Sequence, residues 1–417
     1  MNKLIALLLV AAMTMLLAAC VQSGSGGGST DDSAAAPGEE ARTFAEDLAF
    51  LREHGSVQVL RGPGGARAAL SAKYQGRVMT SATRPGGRSL GWINREFIAS
   101  GETGTQFDNY GGEDRFWLGP EGGQYGLYFP PDSTFDLSHW QVPAAFQEGT
   151  WNVEAASDRS VTFTRSMEVE NYQGMTFELD VERTVNVLSE SDVAEHFGAD
   201  VPEGVEWVGF ETVNRVTNTG ENAWNKESGQ PSIWILGQYE PFGTTYVTIP
   251  FDEGEGGEVV NDAYFGEVPA ERLAVREDYV LFKADGEYRS KIGLGPAHAR
   301  QTMGSYNGKE QLLTLVQYNK PEGKTDYVNS MWEIQDQPYG GDVINAYNDG
   351  PPEPGAEPLG GFYEMETSSP ALSLAPGESY THVQRTLHLI GDRRDVLEPV
   401  AQEALGVSLS IIARGIE

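Results

Sequence analysis

The sequence predicts a mainly β protein: one large domain of antiparallel strands with a helix near each end. Three observations predict it. From Val57 onward, short apolar or alternating runs are cut by Gly, Asn, Asp and Pro, as strands joined by turns should be. The composition is turn-rich and aromatic, with 50 Gly, 17 Tyr, 17 Phe and 8 Trp in 417 residues. The single cysteine, Cys20, leaves no internal disulfide to stabilise the chain, so a buried core must do so.

The elements follow in order. The chain begins M-N-K-L-I-A-L-L-L-V-A-A-M-T-M-L-L-A-A-C. One positive charge, Lys3, precedes an apolar stretch over residues 4–19, and small residues close it. That is the layout of a secretory signal peptide. The stretch is shorter than the ~20 residues a membrane-spanning helix needs. Leu17-Ala18-Ala19-Cys20 resembles the lipobox of bacterial lipoproteins, whose cysteine is lipidated and becomes the first mature residue. The resemblance implies a signal peptide over 1–19, a lipid on Cys20 and a place in the bacterial cell envelope, at the periplasmic face or on the outer membrane. Residues 20–38 are polar and Gly/Ser-rich, a flexible tether. Residues 39–417 are expected to form a single domain.

Residues 39–54 place Phe44, Leu48 and Leu51 on one face with acids opposite, predicting an amphipathic helix ended by Gly55. Predicted strands include V-Q-V-L, A-A-L-S-A, R-V-M-T-S, Y-G-L-Y-F, W-N-V-E-A, S-V-T-F-T-R and M-T-F-E-L-D-V-E-R-T-V-N-V. Residues 181–187 and 208–216 alternate as half-buried antiparallel strands should. S-I-W-I-L-G-Q-Y, T-T-Y-V-T-I-P-F, Y-V-L-F-K-A and L-L-T-L-V-Q-Y continue the pattern. Val396, Leu397, Val400 and Leu405 recur at helical spacing, which predicts a helix over 395–405 with Asp392 as cap and Gly406 as stop.

Asp and Glu number 61 against 29 Lys and Arg, a net charge of -32. A field of that sign repels nucleic acid and anionic lipid, so no nucleic-acid partner is expected and the membrane is reached only through the N-terminal lipid. The sequence has no Cys/His zinc spacing, Walker loop, dinucleotide glycine fingerprint or G-x-S-x-G elbow. No cofactor is expected from these patterns.

Several segments are dense in polar and aromatic groups: N-Y-G-G-E-D-R-F-W-L-G-P-E-G-G-Q over 109–124, F-D-L-S-H-W-Q-V-P over 135–143, Y-N-D-G-P-P-E-P-G over 347–355, and 362–389. Together they resemble an uncharacterised family of bacterial lipoproteins. The block E-T-S-S-P, L-A-P-G-E-S-Y and R-T-L-H-L within 362–389 is also similar to the C-terminal block of aldose 1-epimerases, the galactose mutarotases. That resemblance implies a mutarotase-like antiparallel supersandwich with a sugar-binding concave face, and Glu366 in the position of the catalytic base. The His-bearing strand that supplies the acid in those enzymes has no counterpart, since residues 214–224 contain no His.

Opening a sugar hemiacetal requires a base for the anomeric hydroxyl and an acid for the ring oxygen. Glu364 and Glu366, two apart in a strand, share a face, and their proton affinities should separate if they are buried together. His139 is the other candidate acid. Glu113, Arg115 and Trp117 share a face if extended, and would form a sugar platform of hydrogen-bonders and a flat ring. Trp140 adds a second ring, and His382 a neighbour to Glu366. Asn345, Asn348 and Asp349 offer clustered oxygens suited to a sugar hydroxyl or Ca²⁺, although N-D-G-P is first a turn signal. Two readings stand: a sugar enzyme of epimerase or lyase type, and a non-catalytic carbohydrate-binding or scaffold protein.

Overall fold

The computed structural model describes residues 42–104, 106–254 and 257–416. The expected signal peptide, Cys20 and tether lie outside them. The described chain opens with α1 (Phe44–His54), β1 (Gln58–Arg61), β2 (Arg67–Ser71), β3 (Arg77–Ala82), α2 (Arg95–Ser100), β4 (Arg115–Gly119) and α3 (Ala144–Gln147). It continues with β5 (Asn152–Ala156), β6 (Ser160–Glu170), β7 (Thr176–Val187), α4 (Glu190–Phe197), β8 (Glu206–Asn218), β9 (Ser232–Tyr239) and β10 (Tyr246–Pro250). Then come β11 (Leu273–Val275), β12 (Tyr279–Lys283), β13 (Ser290–Leu294), β14 (Thr302–Asn307) and β15 (Leu312–Tyr318). The last elements are β16 (Ile344–Asn348), β17 (Tyr363–Ser368), β18 (Ser379–Ile390), α5 (Arg394–Leu405) and α6 (Leu409–Arg414).

These strands form three sheets, paired antiparallel throughout. The small one is β1-β2-β3. The largest has ten strands in the order β11-β12-β10-β14-β15-β18-β8-β7-β6-β5, and the third has five, β13-β16-β17-β9-β4. The two larger sheets pack face to face. Phe116, Leu118, Ile233 and Ile235 of the five-stranded sheet meet Phe163, Val181, Val185 and Phe210 of the ten-stranded one. Ile292, Ile344 and Met365 meet Val247, Phe282 and Val316 in a second core. Burying each such side chain contributes roughly 1.5–3 kcal/mol. This is the expected antiparallel sandwich.

The ten-stranded sheet explains why its sequence signal changes along it. At the β5–β7 end its outer face meets water, so β7 alternates exposed and buried residues. In the middle its outer face carries α4, α5 and α6, where Leu313, Leu315, Leu387 and Leu389 pack on Leu397, Val400 and Ile412. Strands there are buried on both faces and lose their alternation.

The first helix is shorter than the expected 39–54 because Thr43 caps it: its side chain accepts from the Glu46 amide, and Glu46 reaches back to the Thr43 amide. Near the other end, α5 stops at Gly406, whose φ of 68° suits glycine. Its N-cap is Arg393, without a side-chain capping bond, and not Asp392. One expected strand is absent. Residues 125–129 close a tight loop instead, in which the Leu127 and Tyr128 amides donate to the carbonyls of Pro120 and Glu121. Gly126 is required there, since a Cβ would sit 2.8 Å from the Glu121 carbonyl oxygen. The apolar residues of that run serve the core from a loop.

Candidate functional site

Strand alternation builds the site. The five-stranded sheet turns Phe116, Leu118, Ile233, Ile235 and Met365 into the core. The residues between them, Arg115, Trp117, Trp234, Glu364 and Glu366, face a cavity of about 440 Å³ on the other side. Lys291 reaches the same cavity from β13. Register aligns these groups: Arg115 lies opposite Leu236, and Leu236 opposite Glu366. In the next row Glu364 lies opposite Tyr347, and Tyr347 opposite Lys291.

Two carboxyls and two cations occupy the floor. Lys291 Nζ donates to Glu366 Oε2 at 2.8 Å, and the Trp234 indole N–H donates to the same oxygen at 2.8 Å. Glu366 is 1% exposed, and its Oε1 has no partner among the described residues. Arg115 donates to Glu364 Oε1 at 2.9 Å. Burial pushes the Glu364 carboxyl up to about 7; Arg115 opposes the rise, while the neighbouring Glu366 adds to it. Burial alone would lower Lys291, but Glu366 and Glu121 hold it above its ordinary value. The two carboxyls therefore differ in surroundings: Glu366 is paired with an ammonium, and Glu364 is raised into the neutral range, where it can exchange a proton.

Aromatic groups wall the cavity. Trp117 and Trp234 meet edge to face at 5.7 Å between ring centres, and the Arg115 guanidinium lies 4.1 Å over Trp117. From the covering loops, Trp140 and Trp332 stand nearly parallel, 6.3 Å apart. Glu121 ties them together: the Trp140 indole donates to Oε1 at 2.7 Å, and Trp332 also donates to this carboxylate. Burial raises the Glu121 carboxyl above its ordinary value, against Lys291 and the two indoles.

The structure thus gathers Glu364, Glu366, Arg115, Trp117, Trp140 and Asp349 around one cavity. It places the other candidates elsewhere. Glu113 lies beneath the sheet, where the Ser81 hydroxyl donates to it at 2.8 Å and His388 sits 3.2 Å away. The platform of Glu113, Arg115 and Trp117 fails because β4 begins only at Arg115. By the β4–β9 register Gln238 should pair with Glu113, yet its amide donates to Gly112. A one-residue slip beside Gly111 and Gly112, both at positive φ, turns Glu113 to the opposite face. His139 is exposed and does not line the cavity; its ring contacts Asp136 and Thr134 in a surface turn. His382 is fully buried between the sheets, 2.8 Å from Thr367 Oγ1, and burial lowers it to about 3, so it is neutral. Asn348 is also fully buried; it accepts from the Gly286 amide and donates to the Tyr288 carbonyl. Asn345 donates to the Ile292 carbonyl. Asp349 accepts from the Tyr347 hydroxyl and the Gly360 and Gly361 amides. Among the described residues, no group of three or more His, Cys, Asp or Glu could hold a metal ion.

Lys291, Trp234, Glu121 and Trp332 were not singled out from the sequence. Lys291 had one readable signal: it is a charge next to apolar Ile292 in a short strand, so the chain must provide it with a buried partner.

The sandwich is that of a mainly antiparallel β protein, and one face of its five-stranded sheet carries an open cavity lined by aromatic and charged groups. The chain belongs to the family of unknown function DUF6786, whose profile matches residues 42–416. Among solved structures it is similar to the Slr1438 protein of Synechocystis sp. PCC 6803, with 11% identity, a TM-score of 0.48, and coverage of 80% of this chain and 96% of that one. It is similar to a galactose mutarotase-like protein of Lactobacillus casei ATCC 334, with 12% identity, a TM-score of 0.43, and coverage of 80% and 100%. It is also similar to a galactose mutarotase related enzyme of Lactobacillus acidophilus, with 11% identity, a TM-score of 0.43, and coverage of 81% and 99%. No curated protein sequence matches it.

Proposed function

We propose that the cavity binds one sugar and that Glu366 and Glu364 open and reclose its hemiacetal ring. The observation that carries this reading is the placement of the two carboxyls side by side on one strand face in the cavity, one raised to about 7 and the other paired with Lys291. The oxygens that exchange protons in this reaction sit on the same carbon, so adjacent acid and base groups can reach both. Glycoside cleavage instead sets its two carboxyls about 5 Å or more apart, with the sugar between them. Glu366 takes the proton of the anomeric hydroxyl, the C1–O5 bond breaks as C1=O forms, and Glu364 protonates O5. Rotation of the aldehyde followed by the reverse transfers gives the other anomer and restores both carboxyls. The tryptophans present flat apolar faces to the sugar's C–H surfaces, and the volume suits a ligand of this size.

The test is the rate at which a purified single anomer equilibrates, followed by polarimetry over a panel of aldoses. Acceleration by the wild type, lost about a hundredfold or more in Glu366→Gln, supports the reading. Saturable sugar binding without acceleration would leave the non-catalytic carbohydrate-binding reading in its place. The anchor is a separate proposal: lipidation at Cys20 holds the domain in the bacterial cell envelope. It rests on Leu17-Ala18-Ala19-Cys20 following the apolar stretch.

A further inference from the structure

We infer that the sugar is a monoanion carrying a carboxylate, a uronic acid, and that Arg289 recognises that group. The inference rests on the cavity being a sugar site. Three cations line it: Arg115, Lys291 and Arg289. The first two are held by Glu364 and Glu366. Arg289 is only partly buried and has no hydrogen-bond acceptor or ion-pair partner among the described residues. Its guanidinium lies 3.9 Å over the Phe265 ring, which fixes its plane and leaves its edge donors open. Asp349 lines the same cavity but does not serve it, because its oxygens accept from the Tyr347 hydroxyl and two backbone amides.

Position adds to charge. Arg289 precedes Lys291 by two residues, so in extended chain it faces the same side about 7 Å along. Lys291 marks the acid–base pair through Glu366. A sugar with its anomeric carbon over that pair and its ring oxygen at Glu364 can extend C5 along the same direction toward Arg289, and in a uronic acid C5 carries the carboxylate. A guanidinium edge matches a carboxylate in shape and charge. A phosphate dianion fits less well, because Glu121, Asp349, Glu357, Glu364 and Glu366 already crowd the cavity with carboxyls.

The experiment is calorimetric titration with galacturonate and glucuronate, with galactose and glucose, and with the two hexose 6-phosphates. The wild type and Arg289→Gln are titrated at fixed ionic strength, and melting curves check folding. In the wild type, uronates bind about tenfold or more tighter than their neutral counterparts, and Arg289→Gln removes most of that preference. Equal affinity for uronates and hexoses, tighter binding of the phosphates, or a preference that survives Arg289→Gln overturns the inference. Binding of neutral hexoses alone overturns it while leaving the sugar reading intact; binding of none of the six defeats that reading as well. If Arg289→Gln does not fold, the wild-type ranking still decides.

Discussion

Glu364 and Glu366 stand two residues apart on one strand and line one cavity, yet each has its own cation, Arg115 for the first and Lys291 for the second. The cations come from opposite edge strands of the five-stranded sheet, β4 and β13. This cross-sheet pairing gives two otherwise identical side chains different electrostatic surroundings.

The raised carboxyl makes folding stability depend on pH. Glu364 stands at about 7 in the folded protein against an ordinary 4.5. Its protonated form is the one the fold favours, so its contribution is complete below about pH 4.5 and is lost as pH rises through about 7. Urea unfolding at pH 5 and pH 8 should show this loss in the wild type and a smaller one in Glu364→Gln.

Removing Lys291 should cost more than removing both members of its pair. Lys291→Met leaves the Glu366 charge buried without its ammonium, a loss of about 3–5 kcal/mol. Lys291→Met with Glu366→Gln should recover much of it, since no unpaired charge remains. Chemical denaturation of the two variants and the wild type measures both effects.

Glu113 should behave as a structural group. Its carboxylate is buried among Ser81 and His388, away from the cavity. Glu113→Ala strands these donors and should destabilise the fold by about 2–3 kcal/mol. Ligand affinity of the folded fraction should stay within twofold of wild type, read by titration well below the melting temperature.

The indole clamp should report through fluorescence and binding. Glu121→Ala frees both Trp140 and Trp332 from their shared acceptor. A red-shifted emission and weaker sugar binding, with the anomer-exchange rate at saturation less affected, are expected.

Lipidation is checked directly. Cys20→Ser should abolish labelling with a fatty-acid analogue and release the protein from the membrane fraction.

Local pattern carried the sequence reading far in some places and failed in others for identifiable reasons. The alternation in β7 and the glycine after α5 are signals within a few residues, and the structure has both. The carboxyl pair was visible because its members lie on one strand. Lys291 and Glu121 were not, because their roles come from partners 75 and 19 residues away. Glu113 was misplaced by a one-residue slip, which a strict two-residue period cannot reveal. The helices α4 and α6 were missed although each starts at a serine cap, Ser189 and Ser408. Both are short and lie behind the large sheet, where packing rather than periodicity holds them.

The strand order of the five-stranded sheet has a temporal consequence. The sheet joins β4, β9 and β13 to the consecutive pair β16 and β17, and the strand bearing Glu364 and Glu366 is the last but one strand to leave the ribosome. Contacts of such long range form slowly, after the local hairpins. A nascent or truncated chain ending before residue 363 would hold both cations and none of their carboxyl partners on β17. The proposed acid–base pair therefore arrives with β17, after both of its cations and before β18, α5 and α6.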